Sequence, residues 1–284
     1  MCKKHIIITG GNSGIGFQAA LQASFNENCL VTIICRNKER AEKSCYDILK
    51  AGGRHIDYIT ADLSNMQSVK DAVNTYKNRY KTLDVLINNA ADFDITNKTR
   101  NITADGFETQ FAVNVVSPYL LSCLFKDYLA NSLNGKIINI SSKGLCLFPF
   151  IELDFSNLNG EKYYKPAYTY YQNKLALLLF SKYLSDKQTN IKIQAVRVTN
   201  VKIDITRYPN ISSFLKYMYK VKSLFSISPY DMALVYNQLT FNDYNGFLFD
   251  EKCREVKANR YVYNTFAQEK LYKYLCSSTG AGFL

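Results

Sequence analysis

Ile6-Ile7-Ile8-Thr9-Gly10-Gly11-Asn12-Ser13-Gly14-Ile15-Gly16 decides the fold of this chain. A β-branched apolar run stops at a glycine-rich turn, and a helix-patterned segment, 14–26, starts at once. Glycines at such a junction permit a tight turn and let the backbone approach a pyrophosphate, which then lies at the positive end of the helix dipole. The strand, turn and helix context separates this motif from an ordinary glycine-containing loop. Gly10, Asn12, Ser13, Gly14, Ile15 and Gly16 are therefore candidate dinucleotide-binding residues.

The same alternation continues along the chain. Apolar runs at 29–35, 55–60, 85–88, 136–140 and 191–196 predict further strands, with helix-patterned segments at 38–50, 64–80, 106–129 and 168–187. Runs that are apolar on both faces belong to parallel sheets covered by helices on both sides. The expectation is an α/β fold with a doubly wound parallel sheet, a Rossmann fold, in one domain over residues 1–284. With five Pro and thirteen Gly in 284 residues, no Pro/Gly-rich linker divides it. The stretch 200–228 fits the alternation least well and reads as an excursion over the sheet edge.

The Thr-Gly-x-x-x-Gly-x-Gly spacing of the opening motif resembles the short-chain dehydrogenase/reductase family, and further motifs follow in that family's order. Ala61-Asp62-Leu63-Ser64 follows the third strand, and Asn88-Asn89-Ala90 ends the fourth. Phe111-Ala112-Val113-Asn114, Asn139-Ile140-Ser141-Ser142 and Tyr170-Tyr171-Gln172-Asn173-Lys174 come next. Asn245-Gly246-Phe247-Leu248-Phe249 with Lys252-Cys253 looks like the closing strand of the retinol-dehydrogenase-like branch. A long gap between Ser142 and Tyr170, holding Leu153-Asp154-Phe155 and Glu161-Lys162-Tyr163-Tyr164, resembles an insertion of that branch. The resemblance implies that Asp62 and Leu63 lie at the adenine, that Asn89 and Ala90 line the cofactor site, and that Asn114, Ser142, Tyr170 and Lys174 are catalytic.

A Tyr-x-x-x-Lys pair has its own physical logic. Positions i and i+4 share a helix face with Cβ atoms about 5–6 Å apart. The Lys174 ammonium can then stabilise the Tyr170 phenolate and lower a pKa that starts near 10. Tyr170 serves as general acid in carbonyl reduction and as base in alcohol oxidation. The same spacing at Tyr46/Lys50 and Tyr183/Lys187 lacks an upstream serine at a strand end and reads as helix surface. Ser142 is expected to hydrogen-bond the substrate oxygen, with Ser141 as the competing serine. Asn114 either holds a relay water near Lys174, as the resemblance implies, or bonds backbone at a helix irregularity.

Cofactor choice rests on the end of the second strand, where an acid bonds a ribose 2'-hydroxyl in NAD-binding proteins. Here the residues are Cys35-Arg36-Asn37-Lys38, and Arg36 can pair with a 2'-phosphate while Asn37 lies beside it. NADP(H) is the expected cofactor. Two positions depart from the family: Ala91 replaces a usual Gly, and Val198-Thr199 replaces Pro-Gly after the sixth strand. Thr199, Asn200 or Thr206 is left to contact the nicotinamide. The resemblance implies an NADP(H)-dependent oxidoreductase for a small apolar carbonyl or alcohol of the retinoid, steroid or lipid aldehyde class, with 211–225 as a substrate lid. A catalytically silent NADP(H)-binding sensor or scaffold is the alternative that the altered loop motivates.

Composition bounds the rest. At 47% hydrophobic and 14% aromatic residues, the chain is not intrinsically disordered. The densest apolar run, 175–180, is far short of the roughly 18 residues of a membrane-spanning helix. Met1-Cys2-Lys3-Lys4 runs straight into apolar Ile6, so no signal peptide is expected and a cytoplasmic location is. Eight dispersed cysteines without a C-x-x-C pair read as reduced thiols, and His5 and His55 are too few for a histidine metal site or a Ser-His-Asp triad. No metal is expected. Asn97, Asn101 and Asn210 open glycosylation patterns that read as chance matches. The formal charge of +11 sits mostly in 162–222, where twelve Lys and Arg face only Asp186 and Asp204. That window predicts peripheral attraction to an anionic membrane surface bordering the substrate entrance. No nucleic-acid motif accompanies it, and either a monomer or a homodimer is compatible with the sequence.

Overall fold

The computed structural model describes residues 3–93, 97–202 and 226–284. Among these, seven parallel strands form one sheet in the order β3-β2-β1-β4-β5-β6-β7. They are β1 (Lys4–Thr9), β2 (Cys29–Cys35), β3 (Ile56–Thr60), β4 (Val85–Asn88), β5 (Lys136–Ser142), β6 (Lys192–Val198) and β7 (Leu248–Phe249). Successive side chains of a strand point to opposite faces, so each inner strand needs apolar residues at every position. In β1, Ile7 packs into one core while Ile6 and Ile8 pack into the other.

Helices α1 (Gly14–Ser24), α2 (Lys38–Lys50) and α7 (Pro229–Phe241) cover one face. The other carries α3 (Met66–Arg79), α5 (Ser117–Ala130), α6 (Pro166–Lys187) and α8 (Thr265–Thr279). A single turn, α4 (Thr109–Phe111), and a π-helical turn, Ala112–Val116, lead into α5. The sequence pattern predicts one helix over 106–129; the structure divides it, and Asn114 sits in the π turn. Strand order reverses between β1 and β4, and this switch point opens a crevice at the carboxyl ends of the strands.

Two helices absent from the sequence reading close the fold. The Ser228 hydroxyl caps α7 by accepting from the Asp231 N–H at 3.0 Å, and Pro229 occupies its first turn. Asn264 caps α8, and Gly280 ends it in the left-handed conformation at φ +66°. The seven cysteines among the described residues are free thiols. Of the segment expected to leave the sheet, 203–225, and with it Thr206 and the expected lid, lies outside the described residues.

Candidate active site

The glycine-rich loop joins β1 to α1 at the switch point. Gly10 and Gly14 take positive φ values of +66° and +58°, which side chains with a Cβ adopt at a cost. A Cβ on Gly16 would lie 2.5 Å from Asn89 Nδ2 and 2.6 Å from the Gly10 carbonyl oxygen, so the first turn of α1 must be bare to pack there. Asn89 in turn donates to the Thr9 carbonyl at 2.9 Å, and the N–H groups of Asn89 and Ala90 donate to Thr9 Oγ1, each at 3.0 Å. Asn89 and Ala90 thus lock the end of β4 to the loop. Ala91 is exposed and does not crowd it.

The N-terminus of α1 opens on a cleft of about 1370 Å³. Asn12, Ser13, Gly14 and Ile15 form one end, and Ser142, Tyr170, Tyr171 and Thr199 contribute to the other. A hypothetical Cβ on Gly14 meets nothing within 4 Å, so backbone there is open to an approaching group. A pyrophosphate-linked dinucleotide therefore fits the loop by its exposed N–H groups and helix-dipole end.

Arg36 and Asn37 stand just past the end of β2, the place expected for them. Arg36 is exposed at the end of β2, and the Asn37 side chain caps α2 by accepting from the Arg40 N–H at 2.7 Å. Neither contributes to the cleft wall; Arg40, Lys43 and Ser44 of α2 do. The Ser44 hydroxyl donates to the Asn12 carbonyl at 3.1 Å, fixing this helix face against the loop. The spacing 40, 43, 44 is one helix face, a signal present in the sequence. Asp62 accepts from the Ser64 N–H at 2.9 Å and its hydroxyl at 2.7 Å, and the Leu63 side chain is buried. Both shape the β3–α3 connection outside the cleft wall, so any contact of Leu63 with a ligand would use its backbone.

Tyr170 and Lys174 lie on one face of α6. The Lys174 Nζ is 5.6 Å from the Tyr170 ring centroid and donates to the Ile140 carbonyl at 2.8 Å. Burial pushes the Lys174 ammonium down to about 7, because a charge is costly where water cannot reach it. Phe93 stacks on Tyr170 with ring centroids 4.2 Å apart and also lines the cleft. Phe93 is a neighbour that the sequence reading missed.

Asn114 is buried beneath them. Its Oδ1 accepts from the Asp92 N–H at 2.9 Å and its Nδ2 donates to the Asp92 carbonyl at 2.8 Å. Of the two expectations for this residue, backbone bonding at a helix irregularity is the one visible here. The contact holds the segment that carries Phe93. Ser142 lines the cleft, and its Oγ accepts from the Gly144 N–H at 3.1 Å. Ser141, next to it, is buried and does not reach that wall.

Val198 at the end of β6 and Thr199, Asn200 and Lys202 after it line the cleft. The Lys202 N–H donates to Ile227 and the Ile227 N–H donates to Asn200, each at 3.0 Å, so this loop is tied down without Pro-Gly. The inserted segment before Tyr170 is likewise anchored. Gln172 donates to the Glu152 carbonyl at 2.7 Å and accepts from the Asp154 N–H at 3.0 Å.

The basic window is not one patch. Lys174 is buried, Lys182 pairs with Asp186, and Lys192 pairs with Asp243 at the start of β6. Helix α6 runs back along the sheet, so its last turn and the start of β6 lie at the end opposite the cleft. Arg207, Lys216, Lys220 and Lys222 fall outside the described residues. No helix among the described residues is long and apolar enough to cross a membrane.

Comparisons with known proteins agree with this arrangement. The family model for short chain dehydrogenases matches residues 4–151. Human retinol dehydrogenase 11 is 31% identical over 229 residues, covering 80% of this chain and 69% of the relative. The mouse protein of the same name is 30% identical over 233 residues, covering 81% and 71%. A short chain dehydrogenase from Shigella flexneri, solved in complex with NADP, superimposes with a TM-score of 0.65 at 18% identity, covering 89% of this chain and 98% of that one. On sequence and fold alike, the chain belongs to the short chain dehydrogenase family of oxidoreductases, in its retinol-dehydrogenase-like branch.

Proposed function

We propose that this protein is an NADP(H)-dependent oxidoreductase that interconverts an apolar carbonyl and its alcohol, in the retinoid, steroid or lipid aldehyde class. The observation that carries the reading is the Tyr170/Lys174 pair on one face of α6, at a cleft whose far end is the N-terminus of α1. When bound, the nicotinamide supplies or accepts the hydride. The residues of this chain do the rest. Ser142 donates a hydrogen bond to the substrate oxygen, and Tyr170 gives that oxygen a proton in reduction or removes one in oxidation. Lys174, held by Ile140 and titrating near neutral pH, favours the phenolate while charged and passes protons to and from the buried side of the site.

The NADP(H) preference is supported by cations at the loop end of the cleft. Arg40 and Lys43 line it there, Lys43 paired with Asp47 of the same wall at 2.6 Å, and Arg36 stands at the strand end where an NAD-binding carboxylate would be. Charge-assisted bonds to a phosphate are the strong ones. Two structural neighbours were solved with NADP, the Shigella flexneri protein and a metagenomic oxidoreductase. Asn89 and Ala90 position the loop, while Asp62 and Leu63 shape the adenine side. Thr199 and Asn200 are the candidates for the nicotinamide amide, and Asn114 holds the Phe93 segment against Tyr170.

Peripheral attraction to anionic membrane belongs to the same proposal, resting on the exposed part of the basic window before Tyr170, Lys162 and Lys165. The test is titration of the purified protein with NADPH and NADH, followed by reduction assays on a panel of apolar aldehydes and ketones. Tighter NADPH binding with turnover of an apolar carbonyl is expected. Tighter NADH binding refutes the cofactor assignment, and intact cofactor binding without any turnover favours a sensor or scaffold. Salt-sensitive binding to anionic vesicles is the expected membrane result.

A further inference from the structure

A second, smaller pocket opens behind Ser142. It holds about 330 Å³ and shares Ser142 and Cys146 with the cofactor cleft, so a molecule reacting at Ser142 can extend into it. Three leucines, Leu145 on the turn after β5, Leu178 of α6 and Leu248 of β7, give it apolar walls. Among the described residues its polar lining is one-sided in charge: Arg197, Lys257 and Arg260 contribute, and no Asp or Glu does. Acids near it in sequence are engaged elsewhere: Asp250 with Arg254 at 2.8 Å, Glu251 with Lys143 at 2.8 Å, and Glu255 accepting from the Phe247 N–H at 3.0 Å.

Two buried atoms on its wall lack a partner. Ser141 is 2% exposed, and its Oγ makes no hydrogen bond; neither does Arg197 Nε. The two residues face each other across adjacent strands, in register between β5 and β6. Among the described residues, the Arg197 guanidinium donates to the Cys146 sulfur, a weak acceptor, at 3.6 Å. Each buried polar group left unpaired costs about 1–3 kcal/mol. A hydroxyl and a guanidinium edge are both relieved by one kind of group, an anionic oxygen acceptor. The Nε and Nη donors of Arg form a fork that matches the two oxygens of a carboxylate. Lys257 and Arg260 are exposed, so they add attraction at the mouth; Arg260 lies 5.1 Å from the Phe150 ring centroid.

We infer that this pocket takes the carboxylate of an apolar substrate, so that the preferred substrate is an oxo acid, or its hydroxy acid, with an apolar chain. The inference rests on the oxidoreductase reading above and narrows its substrate class. In reduction the carbonyl carbon accepts a hydride from NADPH and its oxygen accepts the Tyr170 proton, giving the hydroxy acid and NADP⁺; the carboxylate is unchanged. Ser141, which has no evident part in the cofactor cleft, then has a role in substrate selection distinct from that of Ser142.

The test has a binding arm and a turnover arm, both on the full chain. Calorimetry compares decanoate, which cannot react, with methyl decanoate. Turnover compares kcat/KM for a medium-chain ω-oxo acid with its methyl ester. Decanoate is expected to bind saturably and the ester at least about tenfold more weakly, the discrimination of a charge-assisted hydrogen bond. The acid should be preferred over the ester by a similar factor in turnover. Both preferences should shrink towards unity in the Lys257→Gln/Arg260→Gln variant and at high salt. Ser141→Ala, a milder change in the wall, should weaken decanoate binding. Absence of decanoate binding overturns the inference whether or not turnover occurs. Equal turnover of acid and ester also overturns it, while leaving the oxidoreductase reading in place. Selective decanoate binding without turnover of either compound supports the pocket assignment and favours the sensor or scaffold reading over the oxidoreductase one.

Discussion

Replacing Lys174 by Met should raise the stability of the protein at neutral pH while abolishing its turnover. The amine is buried, it donates to the Ile140 carbonyl at 2.8 Å, and burial lowers its pKa from 10.5 to about 7. A depression of about three and a half units corresponds to roughly 5 kcal/mol of folding free energy, at 1.36 kcal/mol per unit. The sign follows from proton counting. Between pH 7 and pH 10.5 the unfolded chain carries the lysine proton and the folded chain does not, so stability rises with pH in that window. The full penalty is present below pH 7 and gone above 10.5. Methionine fills similar space without a charge to desolvate, at the loss of about 1 kcal/mol for one hydrogen bond. The variant should therefore gain about 4 kcal/mol at pH 7, and the gain should vanish towards pH 10.5. Urea unfolding of both proteins across this range measures the difference. Lys136, which burial lowers to about 8, titrates in the same window but is common to both and cancels. A difference that does not change with pH, or a variant less stable at pH 7, would refute the placement of Lys174 in a water-free site.

Other perturbations test the parts separately. Gly16→Ala must displace Asn89 or the Gly10 carbonyl, and should cost about 1–3 kcal/mol in urea unfolding together with cofactor affinity. Arg40→Gln with Lys43→Gln should weaken NADPH by about ten- to a hundredfold in a fluorescence titration and NADH much less; equal weakening would remove Arg40 and Lys43 as phosphate ligands. Ser142→Ala should lower kcat by about a hundred- to a thousandfold, as loss of a donor to the reacting oxygen does. Ser141→Ala should leave kcat for an uncharged carbonyl substrate nearly unchanged, and steady-state kinetics separates the two serines.

What the sequence could convey depended on how far apart the cooperating residues lie. The strands were legible because most carry a β-branched apolar run that fills both faces, and β2 and β4 begin and end where the pattern places them. The loop at Gly10 to Gly16 was legible because all its parts are neighbours in sequence. The π turn at Asn114 was not, because one added residue in a helical turn leaves the apolar period of 106–129 almost intact. Helices α7 and α8 carried readable caps in Ser228-Pro229-Tyr230-Asp231 and at Asn264 and Gly280, but α7 buries residues on several sides and shows little amphipathic contrast. Adjacency to the strand points to Arg36 and gives no hint of Arg40, which the turn of α2 brings to the cleft wall. The pocket behind Ser142 gathers residues from Ser141 to Arg260, and the burial of Lys174 depends on α6 packing against β5. Neither arrangement has a local signature.

The most direct test of the central claim is transfer of label from NADPH carrying deuterium at both positions of the reactive nicotinamide carbon to an apolar carbonyl, in the protein and in Tyr170→Phe. The expected result is one deuterium on the former carbonyl carbon of the alcohol product, with a rate about a hundred- to ten-thousandfold lower in Tyr170→Phe and unchanged NADPH affinity. Product without deuterium, or a Tyr170→Phe variant that turns over as fast as the parent, would contradict it.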